Sequence, residues 1–225
     1  RGILPNTLEY MDQTALHVVR EYLSLELPQS TRALLLVEVD GDENSTEEQG
    51  KKFLGMLADR RTYPGILEVR QAHNEKEVDD LWKARRSISP ATYKLRPHKI
   101  SEDVVVPKTK IPQLVDFTEK LSRELGIIIL TFGHAGDGNI HVNIMVDKDN
   151  QEEYQKGQTA KRLLFEHVMS LSGTLSGEHG IGITKAPYLS LELDETSLAL
   201  MQSIKSVFDP NNILNPGKIF STKSH

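Results

Sequence analysis

His134 and His141 flank a glycine-rich turn in the run Gly133-His134-Ala135-Gly136-Asp137-Gly138-Asn139-Ile140-His141-Val142-Asn143. Asp137-Gly138 is a strong signal for a two-residue type I′ turn, because both central positions need positive φ. That turn pairs Gly136 with Asn139, Ala135 with Ile140 and His134 with His141. Opposed residues on one face have Cβ atoms about 4.5–5.5 Å apart. Both imidazoles then reach one small object, either as ligands of a metal ion or as side chains that only hydrogen-bond to backbone. A second segment, Gly177-Glu178-His179-Gly180-Ile181-Gly182, sets a carboxylate and an imidazole among three glycines. It is a flexible loop, or a turn that pushes Glu178 and His179 into a site. Two histidines and one Glu would suit Zn²⁺, Mn²⁺ or Fe²⁺ with coordination positions left open, and His179 would remain as a base beside the ion.

A third group comes from helical phase. Asn74 and Glu77 form a capping box, and in the helix it opens Val78, Leu81, Trp82 and Ile88 mark the apolar face. Arg85 falls on that face, seven residues after Val78 and four after Leu81, whereas Arg86 points to solvent. A guanidinium on an apolar face needs an anion. The partner is an internal carboxylate, the more common case, or a ligand's carboxylate or phosphate. Ser89 lies one turn on. Lys99 either assists an anion site or lies on the surface. Glu102-Asp103 looks like a solvated strand edge more than a metal pair.

The elements that must position these groups follow from periodicity. Residues 7–25 have helical spacing, and a capping box at Ser45 and Glu48 opens a helix to about residue 60. Helices are also expected from Asn74 to Pro90 and over 111–125, 149–171 and 194–208. In the last of these Leu200, Ile204, Val207 and Phe208 are in phase. Strands are expected over 33–39, 66–72, 100–106 and 127–132, with one more past the turn, where Ile140, Val142 and Ile144 form an apolar back and His141, Asn143 and Met145 a front. The alternation, with one tight hairpin, predicts an α+β fold with helices on a largely antiparallel sheet.

Composition removes several classes of function. The chain has 225 residues, 38% hydrophobic and 26% charged, with 27 basic against 32 acidic residues and a formal charge of −5. There is no basic stripe for nucleic acid and no apolar run of membrane-spanning length. With no Cys, disulfides, thiolate metal sites and cysteine nucleophiles are excluded within this chain. A start at Arg1 rather than Met points to a piece of something longer.

The two glycine-rich segments, followed by Asp209-Pro210-Asn211-Asn212-Ile213-Leu214-Asn215-Pro216-Gly217-Lys218, resemble the C-terminal domain of FAD-linked oxidases of the vanillyl-alcohol oxidase type. The nearest likeness is to the flavoprotein subunit of glycolate oxidase and to D-lactate and D-2-hydroxyglutarate dehydrogenases. The resemblance implies that residues 1–225 are a substrate-binding cap built of two ferredoxin-like halves. Its FAD would be carried mainly by an N-terminal domain that this chain lacks. It implies His134, His141 and Glu178 as ligands of zinc or manganese, His179 as general base, and Arg85 as the grip on the substrate carboxylate. Asn143 would line the substrate site, Ser89 stands where threonine is seen, and Lys99 is a substrate-side match with altered spacing from Arg85. Asn215 and Lys218 would lie in the loop that approaches the flavin. The implied partners are a small 2-hydroxy acid, the chain's own FAD-binding domain, an iron–sulfur or other electron-transfer subunit, and further copies of the chain. The implied location is cytoplasmic, with membrane association only through partner subunits. The rival readings are a stand-alone metal-dependent hydrolase and a non-catalytic assembly module.

Overall fold

A computed structural model describes residues 3, 5–23, 26–59 and 61–220. Its five strands, all antiparallel, are β1 (Thr7–Asp12), β2 (Ala33–Glu38), β3 (His98–Val105), β4 (Ile128–His134) and β5 (Asn139–Val146), in the order β2-β1-β4-β5-β3. The helices are α1 (Gln13–Val19), α2 (Glu43–Leu57), α3 (Glu75–Ala91), α4 (Ile111–Leu125), α5 (Gln151–Ser170) and α6 (Glu195–Phe208). The expected α+β class holds.

Each face of the sheet has its own core. On one side, Ile140, Val142, Ile144 and Val146 of β5 pack with Leu114 and Leu121 of α4 and with Leu164, Phe165 and Val168 of α5. On the other, Leu130, Phe132 and Met145 pack with Leu16 and Val19 of α1 and Ile88 and Ala91 of α3. The expected front past the turn is therefore polar at His141 and Asn143, but at Met145 it is already core. The C-terminal half has a ferredoxin-like order, in which β3, α4, β4, β5 and α5 are followed by an isolated bridge from Thr174 back to Val105. The N-terminal half supplies two strands.

Several local expectations change. Residues 7–12 are strand, not helix, because β1 is hydrogen-bonded to β2 on one edge and to β4 on the other. Tertiary pairing outweighs a helical pattern of that length. The helix begins only at Gln13, capped by Asp12, whose carboxylate accepts from Ala15 N–H at 2.7 Å; residues 24 and 25 of the expected span lie outside the described residues. The cap of α2 is Asp42, accepting from Ser45 N–H, so the helix starts earlier than the Ser45 box predicts and ends at Leu57; residue 60 also lies outside the described residues. Residues 66–72 form no strand. Asn74 does cap α3, accepting from Glu77 N–H at 3.0 Å. The helix runs one residue beyond Pro90. In α6 the in-phase residues Leu200, Ile204, Val207 and Phe208 face outward and are exposed.

The hairpin register differs by two residues from the sequence expectation. His134 pairs with Asn139 and His141 with Phe132, leaving residues 135–138 as a four-residue loop. Gly138, with φ of 80°, brings the turn against the residue that follows β3, where a Cβ would sit 2.2 Å from the Val106 carbonyl oxygen. An even slip leaves every side chain on its original face. The two histidines therefore still share a face, as diagonal neighbours.

Candidate metal and substrate site

The site lies at the end of the front face that the α1–α3 core leaves open. His134, the last residue of β4, and His141, the third of β5, have ring centroids 5.4 Å apart. The loop after α5 brings Glu178 over them, with Oε1 3.5 Å from His141 Nε2 and 3.9 Å from His134 Nε2. All three donor atoms lie within 4.8 Å of one another. Ligands at about 2.0–2.2 Å from a cation sit roughly 3–4 Å apart, a spacing that Glu178 Oε1 already keeps to both imidazoles, so this set fits a divalent ion. Burial pushes the His141 imidazole down to about 4, with the Glu178 carboxylate opposing. Its lone pair is therefore available at neutral pH. His179 stands beside the set, its ring 5.6 Å from that of His141 and its Nε2 3.6 Å from Glu178 Oε1.

Asp103 is what carries the Glu178 loop to the histidines. It is fully buried on β3, opposite His141. Its Oδ2 accepts from the backbone N–H groups of Gly177, Glu178 and His179 at 2.9, 2.7 and 3.0 Å. Lys185 donates to its Oδ1 and to its main-chain carbonyl. Gly177 lets the loop pass close to Asn139, since a Cβ there would lie 2.4 Å from the Asn139 side chain and force it to shift. Asp103 Oδ1 also lies 3.5 Å from His179 Nδ1, which turns His179 Nε2 outward. Glu102 faces the other side and pairs with buried Lys161 at 2.7 Å. Neither residue is the solvated strand edge that the sequence implied.

Burial favours the neutral form of Asp103, but Lys185 and the N–H groups of His179 and Glu178 outweigh it and hold the carboxyl at about 2. A group with a depressed pKa stabilises the fold above its ordinary value of 3.8, and that contribution disappears as pH falls through about 2. The stability difference between wild type and Asp103→Asn, measured by denaturant unfolding, is expected to be largest above pH 5 and to shrink steadily from about pH 4 downward.

Arg85 does face inward, and its partner is internal. Its Nε and Nη2 donate to Glu9 Oε2 at 2.7 and 2.6 Å, and its guanidinium lies 4.9 Å from the centre of the Phe132 ring. Glu9 Oε1 meets His134 Nδ1 at 2.5 Å. Read as helix, residues 7–12 conceal this. Read as strand, Glu9 shares the front face with Met11, and a carboxylate there needs a cation.

The other expected substrate residues extend along the same face. Ser89 and Lys99 are joined, Lys99 Nζ donating to Ser89 Oγ at 2.7 Å, about one helical turn (~6 Å) beyond Arg85. Asn143, paired in register with Leu130 and Ser101, accepts from Ser101 Oγ at 2.8 Å, while its buried Nδ2 has no hydrogen-bond partner. Asn215 and Lys218 are exposed. Their loop is tied to the Glu178 loop by Ile219 N–H donating to the Gly182 carbonyl at 2.8 Å.

A model of the family described as FAD linked oxidases, C-terminal domain, matches residues 1–219. The chain is 39% identical to the glycolate oxidase subunit GlcD of Bacillus subtilis over 219 residues, covering 97% of this chain and 46% of that protein. It is 36% identical to the D-lactate dehydrogenase of Archaeoglobus fulgidus over 223 residues, again 97% of this chain and 46% of the relative. The structure of p-cresol methylhydroxylase with substrate bound superimposes with a TM-score of 0.67 at 11% identity, over 99% of this chain and 48% of that one. The last of these speaks to fold alone. The chain thus spans less than half the length of these relatives.

Proposed function

The chain belongs to the family of FAD-linked oxidase C-terminal domains, and from that premise we propose that it is the substrate-binding cap of a flavoenzyme oxidising a small D-2-hydroxy acid to the 2-oxo acid. The observation that carries this reading is the meeting of His134, His141 and Glu178 within one ligand shell, beside a base and a guanidinium. The relatives named for glycolate and D-lactate chemistry point to the same substrate class.

His134, His141 and Glu178 would hold zinc or manganese, and FAD would be held mainly by a second domain, approached by the Asn215–Lys218 loop. When bound, the flavin would supply hydride acceptance from C2, and the cation would supply stabilisation of negative charge on the hydroxyl oxygen. Arg85 presents the guanidinium N–H groups that Glu9 does not use to the substrate carboxylate, orienting C2. The outward Nε2 of His179 takes the hydroxyl proton, and buried Asp103 steadies the ring. Asn143 lies behind the same face, its buried Nδ2–H donors unpartnered. Ser89 and Lys99 lie farther along the face, within reach of a longer substrate.

The exposed apolar residues of α6 and the following loop, Leu200, Ile204, Val207, Phe208, Ile213 and Leu214, supply a docking face for the FAD-binding domain. An electron-transfer subunit, self-association and a cytoplasmic location complete the proposal. Among the described residues no helix is long and apolar enough to cross a membrane.

Metal analysis of the purified protein tests the reading, and about one zinc or manganese per chain is the expected result. Absence of metal even after incubation with either ion would overturn it. Arg85→Lys is expected to raise KM for D-lactate or glycolate by 10-fold or more, because a point charge cannot replace the two-pronged guanidinium. An unchanged KM, measured in steady state, would reassign Arg85 to holding Glu9.

A further inference from the structure

Glu9 is a central-strand residue whose two carboxylate oxygens serve different masters. Its side chain is 5% exposed. Oε1 meets His134 Nδ1 at 2.5 Å, while Oε2 accepts from Arg85 Nε at 2.7 Å and Nη2 at 2.6 Å. We infer that Glu9 is a positioning residue that ties the cation site to the anion grip, so that one carboxylate sets both. This rests on the reading of the site proposed above.

The geometry on the His134 side fixes a tautomer. A carboxylate at Nδ1 holds the ring proton there and turns the Nε2 lone pair outward, toward Glu178 Oε1 at 3.9 Å. On the Arg85 side, Glu9 engages one edge of the guanidinium. Nη1 and the second hydrogen of Nη2 remain as a free bidentate edge for a ligand carboxylate. Phe132 lies 4.9 Å beneath Arg85, with its ring 5.3 Å from that of His141.

The backbone holds this arrangement before any ligand arrives. Glu9 is paired directly opposite His134 across β1 and β4, and β1 is bonded on both edges. A Glu9 that merely neutralised Arg85 would need only its charge. A bridge needs the length to reach both partners as well, and this separates the two roles.

The test uses the full-length protein that carries this chain, with Zn²⁺ as the metal probe and pyruvate as the anion probe. Pyruvate has no hydrogen on C2 to give up, so binding is read without turnover. Glu9→Gln is expected to weaken Zn²⁺ binding about 10–100-fold, as loss of a ligand-orienting carboxylate does, and to weaken pyruvate binding about 10-fold. Glu9→Asp keeps the charge one methylene shorter, and is expected to restore at most one of the two affinities. Zn²⁺ affinity within 2-fold of wild type in Glu9→Gln, or recovery of both affinities in Glu9→Asp, would overturn the inference.

If Glu9→Gln fails to fold because Arg85 is left unpaired, the Glu9→Gln/Arg85→Gln double variant removes that orphaned charge. It is expected to bind Zn²⁺ more weakly than wild type, and parity would overturn the bridge. Wild-type protein that binds no Zn²⁺ would sink the site reading and this inference together. Wild-type protein that binds it, with Glu9→Gln unchanged, would sink only the inference.

Discussion

Glu178→Ala in the flavoenzyme is expected to abolish stoichiometric metal and to cut turnover of a D-2-hydroxy acid by about 10²–10³-fold, while the protein melts at the temperature of metal-free wild type. The separation of the two effects follows from where Glu178 sits. Its side chain is 49% exposed, and among the described residues its carboxylate meets only the imidazoles of His134, His141 and His179. An exposed side chain with no packing role changes stability by about 0.5 kcal/mol or less. The backbone N–H of residue 178, which Asp103 needs, survives the substitution. With the carboxylate gone, two imidazoles are left where three donors converged, and a two-ligand site holds a divalent ion poorly. Metal content by elemental analysis, turnover and a thermal melt on the same sample check all three parts. Full activity with full metal would show that Glu178 is a loop residue and that the ion, if present, sits elsewhere.

What could be read from the sequence divides along a physical line. His134, His141, Glu178 and His179 are visible because glycines surround them, and glycines mark places where backbone must turn tightly or pass close by. Arg85 is visible because a single helix has one phase, which a short local pattern fixes. The hairpin register came out two residues off, and this cost nothing at the site because an even slip preserves the face. Glu9 and Asp103 are different. Each is an acidic residue whose importance comes from partners far along the chain, His134 for Glu9 and Lys185 for Asp103. No local spacing encodes such a pairing. The failure at Glu9 was compounded by six residues whose apolar pattern suits a helix, and which become strand only because β2 and β4 offer hydrogen bonds on both sides. The exposed apolar face of α6 has the same origin in reverse: its phase is legible, and what covers it is not.

Lys185→Met is expected to be the most destabilising single substitution near the site, by about 3–5 kcal/mol, and to loosen the Glu178 loop without touching a ligand. Lys185 is 4% exposed in its side chain, donates to both the carboxylate and the carbonyl of Asp103, and lies 3.9 Å from Glu102 Oε2. Glu102 has its own cation in Lys161 at 2.7 Å, so the Lys185 ammonium is the charge that makes the buried Asp103 carboxylate tolerable. Methionine fills similar space and offers no cation. Asp103 would then be left with its three N–H donors and no cation beside it, and would relieve this by taking up a proton or by letting the loop go. A domain of this size loses about 2–4 °C of melting temperature per kcal/mol, so a fall of roughly 6–20 °C is the corresponding observation. Metal affinity should fall with it, because Glu178 and His179 are held by the same carboxylate that Lys185 compensates. The control is Asp103→Asn on the Lys185→Met background. Removing the uncompensated charge should recover part of the lost stability, while the weaker amide acceptor leaves the loop, and metal binding, impaired. If Lys185→Met melts within 2 °C of wild type, the Asp103 anchor does not depend on a buried ion pair, and the three backbone donors alone position Glu178.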